Sequence, residues 1–133
     1  MERSDELRDL VLAAFEDFSN RDTSWIERHT SRHEGVLVIG TDQNEWIEGG
    51  ERVAEDSKQE IRESTANFSS AGEVEAFVEG TVGWASSRPV WTLEDGTEIP
   101  ARWTGVFHQE DGEWKMVQAH ISVGVPNEEL FGE

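Results

Sequence analysis

The sequence predicts an α+β fold, and three observations carry that reading. Apolar residues recur at helical spacing near the N-terminus, the period changes to two from Glu73 onward, and turns cut the second region into antiparallel segments. Ser4 is suited to cap a first helix that places Leu7, Leu10, Val11, Ala14, Phe15 and Phe18 on one face. Glu6, Arg8, Asp9, Glu16 and Asp17 fall on the opposite face, and the pattern ends near Asn20. Asp22, Thr23 and Ser24 offer a second cap before a short helix containing Trp25 and Ile26. Val36-Leu37-Val38-Ile39, between Gly35 and Gly40, reads as a buried strand. Residues 41–44 then read as a turn and 45–48 as a short strand, stopped by Gly49-Gly50. Residues 51–64 are polar and helix-favouring, with Val53, Ala54, Ser57 and Ile61 as one thin apolar stripe. Four strands follow over 73–80, 81–93, 98–109 and 114–124. Asp95-Gly96 fits a two-residue type I′ turn, and Glu110-Asp111-Gly112 fits a three-residue loop with glycine in the left-handed position.

The 133 residues suit one domain over 1–133, with 124–133 as a short acidic tail. Absence of cysteine excludes disulfides, thiolate nucleophiles and Cys-ligated metal. No apolar run reaches the roughly 18 residues of a membrane span, and the start Met1-Glu2-Arg3-Ser4-Asp5-Glu6 lacks a signal peptide's apolar stretch. A cytoplasmic location is therefore expected. Acids outnumber bases by 29 to 11, a net charge of −18. Such a surface repels phosphate backbones and anionic lipid, so neither nucleic acid nor a membrane is expected as a partner. The same charge predicts that salt stabilises the fold by screening self-repulsion.

Loop lengths fix which side chains share a face. A two-residue loop at Asp95-Gly96 pairs Arg88 with Trp103, Ser86 with Gly105 and Trp84 with Phe107. A three-residue loop at Glu110-Asp111-Gly112 pairs Gly105 with Val117, Trp103 with Ala119 and Ala101 with Ile121. One face then holds Val82, Trp84, Ser86, Arg88, Trp103, Gly105, Phe107, Val117, Ala119, Ile121 and Val123, and is expected to meet the helices. The other holds Arg102, Thr104, Val106, His108, Trp114, Met116, Gln118, His120 and Ser122, a polar and aromatic mixture suited to a sheet-to-sheet homodimer interface.

The segments Ile39-Gly40-Thr41-Asp42 and Glu45-Trp46-Ile47-Glu48-Gly49-Gly50 follow a long amphipathic helix, a combination that resembles the SnoaL-like branch of the nuclear transport factor 2-like superfamily. Thr104-Gly105-Val106-Phe107-His108, Asp111-Gly112-Glu113-Trp114-Lys115 and His120-Ile121-Ser122 are similar to that branch's final hairpin, and also to the association domain of calcium/calmodulin-dependent protein kinases. The resemblance implies a strongly curved, mainly antiparallel sheet wrapped around helices, a cone whose mouth is a small-molecule pocket. It implies isomerase, cyclase or dehydratase chemistry without a cofactor, or a non-catalytic binding or assembly role, because fold does not choose function. The chain has no tyrosine, so an oxyanion hole built on tyrosine, as in ketosteroid isomerase, is not available to it.

Within that frame Trp84, Trp103, Phe107 and Ile121, with Trp25 and Trp46 near the mouth, are candidate pocket residues for a small hydrophobic molecule, the alternative being plain core packing. Arg88, sent inward by the register, could anchor a carboxylate or enol oxygen or reach an acid at the rim. Asp42 could be a general base if buried, or an ordinary turn aspartate. Arg102, Thr104, Trp114, His120 and Ser122 form a polar set, read as an interface network, since no acid or oxyanion hole completes a hydrolase. His29 and His33 stand four apart, but the intervening Thr30-Ser31-Arg32 is not helical in character. No metal site is expected there.

Overall fold

The computed structural model describes residues 1–70 and 74–132. A short strand β1 (Glu2–Arg3) leads into α1 (Asp5–Ser19), whose first turn is capped by the Ser4 hydroxyl accepting the Leu7 N–H at 3.1 Å. Leu7, Val11 and Phe15 are its buried stripe. A tight turn gives α2 (Ser24–His29), which buries Trp25 and ties it to α1 through an indole N–H donated to the Leu10 carbonyl at 2.9 Å. Strands β2 (Leu37–Ile39) and β3 (Trp46–Glu48) form a small hairpin before α3 (Gly50–Glu63), which buries Val53, Ala54 and Ile61. The second half contributes β4 (Asn67–Ser70), β5 (Glu75–Glu79), β6 (Val82–Ser87), β7 (Pro89–Thr92), β8 (Glu98–Pro100), β9 (Arg102–Glu110) and β10 (Glu113–Ser122), then a short α4 (Asn127–Phe131). The expected strand start at Glu73 lies outside the described residues. No helix among the described residues is long and apolar enough to cross a membrane.

Seven strands make one sheet in the order β1-β5-β6-β9-β10-β2-β3, antiparallel except where β2 runs parallel to β10. A second sheet, β4-β7-β8, stands at its side. Each of the two long strands expected over 81–93 and 98–109 breaks in the middle, at Arg88 and at Ala101. Their first and second halves therefore serve different sheets. Pro89 has no N–H to give at the corner, but its carbonyl accepts the Ala101 N–H at 2.8 Å, so both strands turn together. β4, which no sequence pattern marks as a strand, pairs with β7 and is tied to α1 at Phe68: the Ser19 hydroxyl donates to the Phe68 carbonyl and accepts the Phe68 N–H, both at 2.8 Å.

The two hairpin loops have exchanged lengths relative to expectation. Leu93 and Thr97 close the first by the Leu93 N–H to Thr97 carbonyl bond at 2.9 Å, leaving three residues, 94–96, in the loop. The last hairpin pairs Glu110 with Glu113 and turns on Asp111 (φ 53°) and Gly112 (φ 81°), two left-handed residues as a type I′ turn requires. Two corrections follow. β6 pairs with β9 one residue out from the expected register, as Ala85 with Gly105 and Ser87 with Trp103. The inner face therefore receives Gly83, Ala85 and Ser87, while Val82, Trp84, Ser86 and Arg88 lie outside. In β10 a bulge falls between Met116 and Gln118. Trp114 and Met116, expected on the outer face, are buried inside at 6% exposure each, and beyond the bulge Ala119 and Ile121 point inward as expected. Val117 occupies the bulge itself and leaves the inner set.

Candidate functional site

The inner face of the sheet and the helices enclose a largely apolar cavity of about 150 Å³. α1 supplies Ala14, Phe15, Asp17 and Phe18, α2 supplies Trp25 and Ile26, and α3 supplies Ser57 and Ile61. Val38, Phe68, Trp103, Met116 and Ala119 close it from the strands, with Asp22 beside the mouth. The walls are rings set edge to face: Phe15 meets Phe68 at 4.9 Å and Trp103 at 5.5 Å, each at 86°. Gly105 lets Trp103 lie flat over the strand, because a Cβ there would stand 2.5 Å from the indole.

Of the expected pocket residues, Trp25 and Trp103 line this cavity. Phe107 is fully buried and fills the core beneath it, edge-on to Trp25 at 6.4 Å, while Ile121 is partly buried against the same core. Trp84 is on the outer face, stacked on Phe77, because the register is one residue out. Trp46 sits on the sheet's last strand, 57% exposed, its indole N–H donated to Glu48 at 2.9 Å. Asp42 is exposed in the β2–β3 turn, where its carboxylate accepts the Asn44 N–H at 2.8 Å, so the fold does not carry it into the cavity. Arg88 is exposed on the outer side. Arg102, Thr104, His120 and Ser122 share the outer face, with Arg102 donating to the Ser122 hydroxyl at 3.2 Å. Trp114 does not join them. His29 ends α2 and His33 lies beyond it, so the two do not share a helix face.

The residue that sequence reasoning missed is Asp17. Helical spacing assigns it to the solvent face of α1, but α2 folds back over that side. Partial burial raises its carboxyl above the usual range, and the charges of Asp22 and Glu16 add to this, against a lowering hydrogen bond from the Trp25 backbone. Asp22 moves the other way, held down by the Ser24 hydroxyl and by the Ser24 N–H at 2.9 Å. Two carboxyls at one apolar mouth are thus pushed apart in proton affinity, the arrangement that acid–base chemistry exploits. The only hint in the sequence was an acid adjoining the apolar stripe one residue before Phe18.

At the level of sequence no functionally curated protein matches the chain. Among solved structures, a nuclear transport factor 2-like protein of unknown function from Pseudomonas putida superposes with a TM-score of 0.78 at 15% identity, over 93% of this chain and 88% of that one. A candidate dehydratase of the same superfamily from Streptomyces avermitilis gives 0.74 at 13% identity, over 91% and 95% of the two chains. A candidate ketosteroid isomerase from Parabacteroides distasonis gives 0.72 at 17% identity, over 92% of each. At such identities the likeness is one of fold. Residues 7–126, nearly the whole folded unit, match the SnoaL-like domain. This chain, a helix-backed sheet around an aromatic cavity whose fold is that of nuclear transport factor 2-like proteins, belongs to the SnoaL-like family.

Proposed function

We propose that the protein binds a small ring-containing apolar molecule in the cavity beneath α1 and α2, and that Asp17 moves a proton on that molecule. The observation that carries this reading is a ring-walled cavity of about 150 Å³ with one carboxyl of raised pKa at its edge. An apolar cavity of this order accommodates a single six-membered ring. A carboxyl that is readily protonated near such a ring suits proton transfer at a ring carbon, and the structural neighbours from Parabacteroides distasonis and Streptomyces avermitilis are a candidate ketosteroid isomerase and a candidate dehydratase. Asp42 and Arg88 lie too far out on the surface to share that work.

A panel of planar six-membered-ring ketones, titrated against intrinsic tryptophan fluorescence, tests binding through Trp25 and Trp103. Exchange of the ketone α-protons in deuterated buffer, followed by NMR, tests proton transfer. Binding with exchange that Asp17→Asn abolishes supports the whole reading. Binding without exchange leaves a non-catalytic ligand-binding module, a second reading favoured by how much of the interior Phe107 and Trp114 already fill. Absence of any fluorescence change across the panel, with benzene also excluded, overturns both.

The outer face supports a homodimer. Phe77, Trp84 and Val106 form one apolar row across the registered strands, flanked by Thr104 and His120 in the next. A single chain leaves this row partly open to water, and stable association would cover it.

A further inference from the structure

We propose that Arg88 and Arg102 form an oxyanion site on the outer side of the sheet, binding the carboxylate or phosphate group of a small molecule. The pairing on both sides of the strand break places them together. Ser87 stands opposite Trp103 in the large sheet and Val90 opposite Pro100 in the small one, so continuing either register sets Arg88 directly across from Arg102. The inward pointing of their neighbours Ser87, Pro89 and Ala101, all buried, turns both guanidiniums to the outside, where both residues are exposed.

Like charges directly opposite one another on a sheet are unfavourable without a counter-charge. Elsewhere this acidic chain supplies one readily: Arg3 lies near Glu75, Arg28 against Glu113, and Lys58 between Glu27 and Glu55. Among the described residues neither Arg88 nor Arg102 has a carboxylate within ion-pair distance. They border a recess of about 490 Å³ whose other walls include Ser86, Thr104 and Ser87, with Glu75 as its acid, engaged by Arg3 at 3.7 Å. Ser86 and Thr104 are cross-strand partners, and Ser122 accepts from the Arg102 Nε–H, so hydroxyls flank the pair. Two guanidiniums bordering one recess, with the Ser86 and Thr104 hydroxyls in its wall, supply the forked donors that a carboxylate or phosphate takes up.

The test must separate an oxyanion from salt in general, because any electrolyte relieves a charge of −18. Inorganic phosphate and succinate are compared with chloride at matched ionic strength, reading the melting temperature and the heat of binding. The two oxyanion arms decide which head group the site takes. Expected is stabilisation by one of them beyond chloride, weakened at least about tenfold in Kd by R88Q or by R102Q and lost in the double variant. In chloride the single variants should melt no lower than the parent, since each removes a repulsion. Equal effects of chloride and both oxyanions overturn the site, as does an undiminished response in the double variant. A third overturning result is a double variant that becomes monomeric in sedimentation while phosphate dissociates the parent dimer. That outcome would assign the arginines to acids of a second copy.

Discussion

The two faces of the seven-stranded sheet carry comparable aromatic weight and put it to different use. On the inner face, Trp103 and Phe107 meet Phe15 and Trp25 from the helices, and Phe107 is wholly buried. On the outer face, Phe77 and Trp84 stack on one another at 6.5 Å with Arg3 over the Phe77 ring, and both stay partly exposed. Burial on the inner face holds one chain together. The outer face adds little to that and is free to serve association or ligand capture. A ring on a strand is thus not evidence of a pocket until its parity is known.

Four substitutions break or sharpen that contrast. Phe107→Ala should cost the most, about 3–5 kcal/mol, because it empties a fully enclosed site. Urea unfolding should show the midpoint falling with an unchanged slope, and a loss under about 1 kcal/mol would mean the core repacks. Gly105→Ala should cost about 1–3 kcal/mol, since the new Cβ displaces the Trp103 indole. It should also weaken the binding of ring compounds, and unchanged fluorescence titrations would contradict the position given to Trp103.

On the opposite face, Trp84→Ala should lower monomer stability by only about 1 kcal/mol yet raise the dissociation constant of the proposed homodimer at least about tenfold. Analytical ultracentrifugation at several concentrations separates the two effects. The smallest change belongs to Asp17→Asn. A raised folded pKa means the group contributes stability that is fully present below the unfolded pKa and is lost as pH rises through the folded value. The variant should therefore melt above the parent at neutral pH and converge with it in acid. A melting curve at neutral pH no higher than the parent's would show that the Asp17 charge is not destabilised where it stands.

The helices were readable because their evidence is local. Ser4 capping Leu7 and the Leu7–Val11–Phe15 stripe need no knowledge of the rest of the chain. Strand faces demanded more. Assigning three residues to the last loop grouped the apolar residues correctly beyond Met116, but for the wrong reason. The chain uses the tighter Asp111-Gly112 turn and restores the parity with a bulge at Val117. That cost the assignments of Trp114 and Met116, and the mirrored error at Asp95-Gly96 cost those of Trp84 and Arg88. In the candidate site, Trp25 and Trp103 were legible, whereas Asp17 was not, because a helical wheel does not show that a second helix folds over the polar side.

The sequence by itself determined the α+β class, the order of most elements, the buried stripe of α1 and the net charge of −18. These depend on neighbours a few residues apart, where spacing and composition act directly. Tertiary structure alone decided which way each strand's side chains point, where Asp17 and Arg88 end up, and how much of the interior is left empty. A one-residue bulge inverts a face at little local cost. Only the packing of distant segments selects between the two outcomes.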